Sequence, residues 1–442
     1  MKEDLRVDLG HYLARVHRAN SLSPRGRVAH VVGLLVEVEG LVAAVGSQLE
    51  VTAGDRTITL EVLGFRHGRV LCAPLGPIAG IEPGSRVRAS PASALAGVGP
   101  ALLGRVIDAF GRPLDGKPAP MCQEVAPLLA PPPAPFSRSP IHEAMETRVR
   151  AIDTLLPLGR GQRIGLFAGT GVGKSTLLGM LCRHSAADVI VVGLIGERGR
   201  EVGDFVRGAL GTKGLERSVV VAATSDAPPL VRARGALRAT AIAEHFRRQG
   251  KSVLLVMDSV TRYAMALREA SLAAGEPPLT KGYTPTVFAA LPALLERAGN
   301  CEGPGSITAV YTVLVEGDDL NDPIADCARG ILDGHIVLSR KLADAGLFPA
   351  VDVLRSVSRI AGEVTTPEHL KDAAKVRELL AVYEGAADLI QIGAYVPGSD
   401  PKVDKARAAY PRIEALIRQS LQEDVPRATA IQALRAIVAS VV

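Results

Sequence analysis

The stretch AGTGVGKS, residues 168 to 175, sets three glycines, a lysine and a serine at the spacing that phosphate binding needs. It fits the phosphate-loop pattern except that Ala168 stands where the strict form has its first glycine, a position that lends backbone rather than side chain to the cradle. Glycines let successive amides converge on phosphate oxygens, and a helix starting there adds a favourable dipole. Gly169, Thr170, Gly171, Val172, Gly173, Lys174, Ser175 and Thr176 are therefore expected to hold a nucleotide. Lys174 would reach the β and γ phosphates, and the Ser175 hydroxyl would ligate Mg²⁺. The plain alternative is a Gly-rich turn, which the strand RIGLFA before it and the helical pattern after it argue against.

Four further side chains fall where phosphoryl chemistry could use them. Asp258 ends the apolar run VLLVMD, so a carboxylate sits at the edge of a buried strand, suited to Mg²⁺, directly or through water. Glu197, in GERGRE, ends the run VIVVGLI, expected to lie beside the phosphate-loop strand; a carboxylate there would polarise a water in line with the γ phosphate. Arg198 beside it would hold the released phosphate. Arg262 follows Asp258 by four residues, either facing the same site or forming a surface ion pair.

Positioning these groups requires a scaffold, and the chain of 442 residues has room for two to four domains. Short Val, Leu and Ile runs from 26 to 92, broken by Gly, Asp and Pro, predict a small β-barrel. Residues 112 to 142 are dense in proline and predict an extended surface connection. From 163, apolar strands alternate with helical segments, which predicts a parallel sheet covered by helices. Helix-period segments dominate beyond 360, with breaks near 385 and 397 to 401. The fold class is thus α/β, a parallel sheet led by a phosphate loop, with an N-terminal small β-barrel and a C-terminal helical domain, and its core resembles the RecA-like phosphate-loop ATPases. The expected division is 1–22, 23–95, 96–358 and 359–442.

Composition narrows the function. Aromatics are 3% of the chain with no Trp, which argues against a single-strand nucleic-acid binder built on stacking platforms. A net charge of +5 names no polyanionic ligand. The five cysteines form no Cys-x-x-Cys clip, so reduced buried thiols are expected. Acids at 3, 4 and 8 and the lack of an apolar core in the first twenty residues predict no secretory signal, and a cytoplasmic protein. In residues 1 to 20, Leu5, Leu9, Tyr12, Leu13 and Val16 recur at helical spacing, as a partner-docking helix or a terminal helix packed on its own domain.

Taken together these stretches resemble the catalytic subunits of the rotary ATP synthase group, most closely the type III protein export ATPases, the flagellar members first. The resemblance spans roughly 20 to 420 and is carried by LLGRVIDAFGRPLDG (102–116), GRGQRIGLFAGTGVGKSTLLGM (159–180), DSVTRYAMALRE (258–269), GSITAVYTVLVEGDDLNDPIAD (305–326) and LDGHIVLSRKLADAGLFPAVDVLRSVSR (332–359). It implies that Glu197 is the catalytic glutamate, that Arg198 and Arg262 contact the γ phosphate, and that Phe348 lies against adenine, where a core Phe is the alternative. It also implies that Arg359, in SVSR, is an arginine finger acting on the neighbouring subunit's nucleotide. Glu197 and Arg359 occur in one chain, so every interface of a homo-oligomer could be competent, which favours a closed ring, six by expectation.

The resemblance implies ATP and Mg²⁺, and hydrolysis that energises flagellar export and unloads cargo from chaperones. EPPLTKGYTP (276–285) matches a loop lining the central channel, facing a FliJ-like stalk or unfolded cargo, or else is a plain crossover loop. The N-terminal helix resembles the segment docking a regulator of the FliH kind, and the C-terminal helices would face export substrates, chaperones or the membrane-embedded export gate. The protein would then associate peripherally with the inner-membrane export apparatus. Rival readings are the virulence type III secretion (injectisome) paralogue, a rotary synthase catalytic subunit, and a ring RNA translocase. The last would need an aromatic strand-binding site in the barrel, where 26 to 92 carries only Phe65.

Overall fold

A computed structural model describes residues 25–90, 94–315, 317 and 319–440; the docking helix expected at 1–22 lies outside them. The described residues form two compact units, one of those up to Ala94 with Ala273–Gly275, the other of those from Leu95 to Leu272 and from Glu276 onward.

In the first unit, strands β1 (Arg25–Val32), β2 (Leu35–Glu39), β3 (Gln48–Ala53), β4 (Arg56–Arg66), β5 (Arg69–Pro74) and β6 (Arg86–Ala89) close in the order β1-β2-β5-β4-β3-β6. Alternation explains the closure: Val36, Val38, Leu49, Val51, Leu60 and Cys72 point inward and are buried, while charged neighbours point out. The β4–β5 turn is two residues, His67 and Gly68, at φ 50° and 73°, the paired left-handed geometry that matches strand twist in a hairpin.

The second unit is built on a nine-stranded sheet. Its main path uses β7 (Arg105–Asp108), β8 (Arg163–Ala168), β9 (Val189–Ile195), β10 (Ser218–Ala223), β11 (Ser252–Asp258), β12 (Ser306–Leu314), β13 (Gly334–Leu338) and β14 (Val351–Ser358). The order is β14-β13-β8-β12-β11-β9-β10-β7, with Gly299–Asn300 added antiparallel to β12. From β13 to β7 all neighbours are parallel, and β14 alone on this path runs against its partner. Runs such as VIVVGLI and SVLLVMD are buried at every residue, as strands covered on both faces must be. Helices α1 (Lys174–His184), α2 (Pro229–Arg248) and α3 (Val260–Ala273) follow β8, β10 and β11.

The order corrects one expectation from sequence. β9, which carries Glu197, is separated from the phosphate-loop strand by β12 and β11, because the chain crosses over and returns to fill the gap. The proline-rich connection is also less uniform than expected. Glu124–Pro127 pairs with Leu95–Val98, and the fully buried Arg297 grips both Glu244 carboxylate oxygens at 2.8 Å and the Leu128 carbonyl at 2.6 Å.

Helices α4 (Pro367–Gln391), α5 (Pro401–Ile417) and α6 (Arg427–Ala439) pack in the same compact unit as the sheet. The break expected near 385 is absent: Gly385 lies inside α4, where a single glycine costs about 1 kcal/mol and neighbouring packing overrides it. The break near 397–401 is present, closed by Asp400, whose side chain accepts from the Lys402 amide at 2.8 Å. All five cysteines are free, and no described helix is long and apolar enough to cross a membrane.

Candidate active site

The loop between β8 and α1 leaves the sheet at its C-terminal edge. Gly171 and Gly173 take φ 78° and 86°, a left-handed geometry that side-chain-bearing residues rarely adopt, and α1 begins at Lys174 with its first amides facing the loop. A Cβ on Gly173 would come within 3.0 Å of the Phe348 ring, so this glycine also admits the aromatic that rests on the loop. Phe348 is 38% exposed, a half-open ring rather than a core one, and its carbonyl accepts from the Gln419 amide at 2.9 Å.

Lys174 extends from the first turn of α1 over the end of β11. Its Nζ pairs with Asp258 and lies 3.6 Å from Glu197 Oε1. Asp258 is 3% exposed and also accepts a 2.7 Å bond from the Thr312 hydroxyl, which is held on the adjacent β12. Thus Glu197 reaches the cluster although its strand stands three places from β8: Lys174 spans the distance. One ammonium faces two carboxylates, and burial of Glu197, then the Asp258 charge, push the Glu197 carboxyl up to about 7, against the pull of Lys174. Glu201, four residues on, hydrogen-bonds Glu197 and is itself held below the usual carboxylate range.

Arg262 enters from α3, its stem packed so closely on Gly196 that a Cβ there would lie 2.9 Å from Arg262 Cβ. Its Nε is buried with no hydrogen-bond partner among the described residues. A buried guanidinium donor left open beside a phosphate cradle fits an anionic ligand. Arg198 is different: 82% of its side chain is exposed, and its partner is Glu201 at 3.7 Å.

The residues fit a nucleotide with Mg²⁺. Among the described residues there is no cluster of three or more His, Cys, Asp or Glu side chains that could cage a metal. Magnesium in such sites is held by one or two protein oxygens plus phosphates and waters, and Ser175 with the buried Asp258 carboxylate could supply the protein oxygens. Thr312 and Glu201 are members of the cluster that sequence reading missed. Glu201 was accessible as a residue four after Glu197 at a helix start; Thr312 carries no local signal, because its contact with Asp258 depends on which strand lies beside β11.

Arg359 lies elsewhere. Because β14 is antiparallel, its end faces the N-terminal edge: Ser358 pairs with Gly334 and Val357 with His335, which pairs with Gly165. The chain at Ser358 is therefore level with Ile164, about 13 Å of strand short of the phosphate loop. The Arg359 amide donates to the Asp333 carbonyl at 3.1 Å, Nη2 donates to the Arg329 carbonyl at 3.0 Å, and the residue is exposed. Loop 276–285 carries the exposed Leu279 and the buried Tyr283, with Lys281 bonded to Asp322 at 3.2 Å.

Comparison with known proteins gives a consistent picture. Family models match as the ATP synthase alpha/beta family nucleotide-binding domain over residues 148–358, the β-barrel domain of that family over 28–90, and the T3SS EscN ATPase C-terminal domain over 365–436. The flagellum-specific ATP synthase of Pseudomonas aeruginosa is 54% identical over 403 residues, 90% of this chain and 89% of that protein. Its counterpart in Salmonella typhimurium is 50% identical over 438 residues, 96% of each. The assembled ATPase EscN, solved in complex with its central stalk EscO from the enteropathogenic E. coli type III secretion system, superposes with a TM-score of 0.86 at 44% identity, over 93% of this chain and 100% of that one.

Proposed function

The chain belongs to the ATP synthase alpha/beta family, in the branch of the flagellum-specific ATP synthases and type III secretion ATPases, and is an ATPase; from that premise we propose how its residues share the reaction. The nucleotide phosphates lie along the amides of 169 to 173, and Phe348 rests against the adenine. Lys174, which balances two carboxylates, turns to the β and γ phosphates and leaves Glu197 free to orient water and accept its proton. Ser175 and Asp258 hold Mg²⁺, which when bound supplies positive charge against the phosphate oxygens. Arg262 offers its open Nε to the γ phosphate, and Arg198 swings in from solvent.

The observation that carries this reading is the separation of Arg359 from its own phosphate loop. A finger that cannot serve its own subunit has a role only beside another copy, which favours a closed homo-oligomeric ring, with six subunits proposed. The same reading makes the protein a motor of flagellar type III export, cytoplasmic and peripheral at the inner membrane, that unloads cargo from chaperones. Loop 276–285 would meet a stalk protein, a role in keeping with the EscN–EscO complex, and the N-terminal segment would meet a regulator.

The test is ATPase rate against protein concentration for the wild type, Glu197→Gln, Arg359→Ala and an equal mixture of the two variants. Each variant alone is expected to be inactive, with loss of the finger costing about 10³-fold or more, and the mixture to regain activity. A mixture that stays inactive while mixed rings form overturns the shared site.

A further inference from the structure

A cavity of about 400 Å³ lies between β14 and the helices α4 and α5. Its walls are apolar: Val351 and Leu354 from β14, Leu347 from the preceding loop, Leu380 from α4, and a stacked tyrosine pair. Tyr383 and Tyr410 lie with ring centroids 3.8 Å apart and planes 14° from parallel, a flat π surface in the wall. The volume falls in the range of small-molecule sites.

Charge around this cavity is one-sided. Asp352, Glu384, Asp388 and Glu414 line it against a single cation, Lys341. Glu414 is already paired with Arg418 at 2.5 Å, and Asp352 accepts from the Arg355 amide at 3.0 Å. Glu384 and Asp388 have no ion pair among the described residues; four apart on α4, they share one face and repel each other. An apolar, π-lined cavity with two unneutralised carboxylates at its wall complements a ligand that is greasy and positive.

We propose that this cavity binds a small amphipathic cation, an ammonium or amidinium on an aromatic or branched-aliphatic body. Its body packs on the tyrosines and leucines, and its charge meets Glu384 and Asp388. Occupancy also bears on the nucleotide. Leu347 adjoins Phe348, whose ring touches Gly173 and whose carbonyl is held by Gln419, two residues past the lining Ile417. This coupling rests on the adenine reading of Phe348.

Tryptamine is a suitable probe, titrated into the full chain by calorimetry. Saturable binding of one equivalent is expected with a Kd below about 1 mM, and the uncharged analogue tryptophol should bind at least about fivefold more weakly. Leu354→Trp, which fills the cavity, should weaken tryptamine at least about tenfold, and the surface pair Glu384→Gln with Asp388→Asn at least about fivefold. No saturation by about 10 mM, or unchanged binding to the double variant, overturns the site; equal binding of tryptophol overturns its cationic specificity. Saturating tryptamine should shift ADP affinity by about fivefold, and ADP should shift tryptamine affinity equally. Unchanged ADP affinity with tryptamine bound overturns the link to Phe348, and leaves the binding result standing on its own measurement.

Discussion

The two edges of the central sheet are built to opposite ends. At the C-terminal edge, Lys174 is shared between Asp258 and Glu197, the Glu197 carboxyl is pushed up to about 7, and Arg262 keeps a buried donor open. At the N-terminal edge, Arg163 donates to Asp333 at 3.0 and 3.1 Å and pairs with Glu296, the Asp333 carbonyl takes bonds from Gln162 and Arg359, and Arg138 grips the Ala298 carbonyl at 3.0 Å. One edge keeps its charges poised for a ligand, and the other ties its charges into the frame. Frustrated charge can persist at one edge because the opposite edge and the buried strands between them hold the backbone still.

That contrast can be broken or sharpened by experiment. The largest effect should come from the open edge. Glu197→Gln keeps shape and removes the base, so kcat should fall by about a thousandfold while the melting temperature stays near the wild-type value. At the tied edge the signs reverse: Arg163→Ala leaves Asp333 and Glu296 without their partner and should cost about 3 kcal/mol in urea unfolding, with ATPase per folded subunit near wild type. If Arg163→Ala instead abolished turnover in a fully folded protein, the division of labour between the edges would be wrong. A smaller effect is set by pH. Glu197 has its carboxyl raised to about 7, so it is protonated and unable to accept a proton below that pH; kcat/KM should rise about tenfold per pH unit up to 7 and then level. A flat profile between pH 6 and 8 would remove Glu197 as the titrating base. The smallest is Phe348→Ala, which should raise KM for ATP about fivefold, near 1 kcal/mol of aromatic contact, with little change in kcat.

Much of the poised edge is legible in the chain. AGTGVGKS specifies a local conformation, and the apolar runs before Glu197 and Asp258 mark them as strand ends, so three of the four clustered charges were found by type and position. Thr312 was not, since its pairing with Asp258 follows from β12 inserting between β8 and β11, an outcome of long-range packing that no local pattern encodes. The same insertion explains why β9 was expected one place from β8 and stands three away. Gly385 illustrates the converse: the residue weakens a helix locally, yet α4 continues through it because Ala386, Leu380 and Leu379 are buried.

The reversal of a single strand, β14, has a consequence for inheritance. With Glu197 and Arg359 on opposite edges, the proposed shared site makes turnover a property of adjacent pairs rather than of individuals. A subunit lacking both groups would then silence the site it carries and the one it serves, and in mixed rings the working junctions would decline as the square of the intact fraction. A copy lacking both residues should accordingly be dominant in a partial diploid, since equal expression with an intact copy leaves about a quarter of the junctions working, the same share that remains when the two losses are divided between two copies.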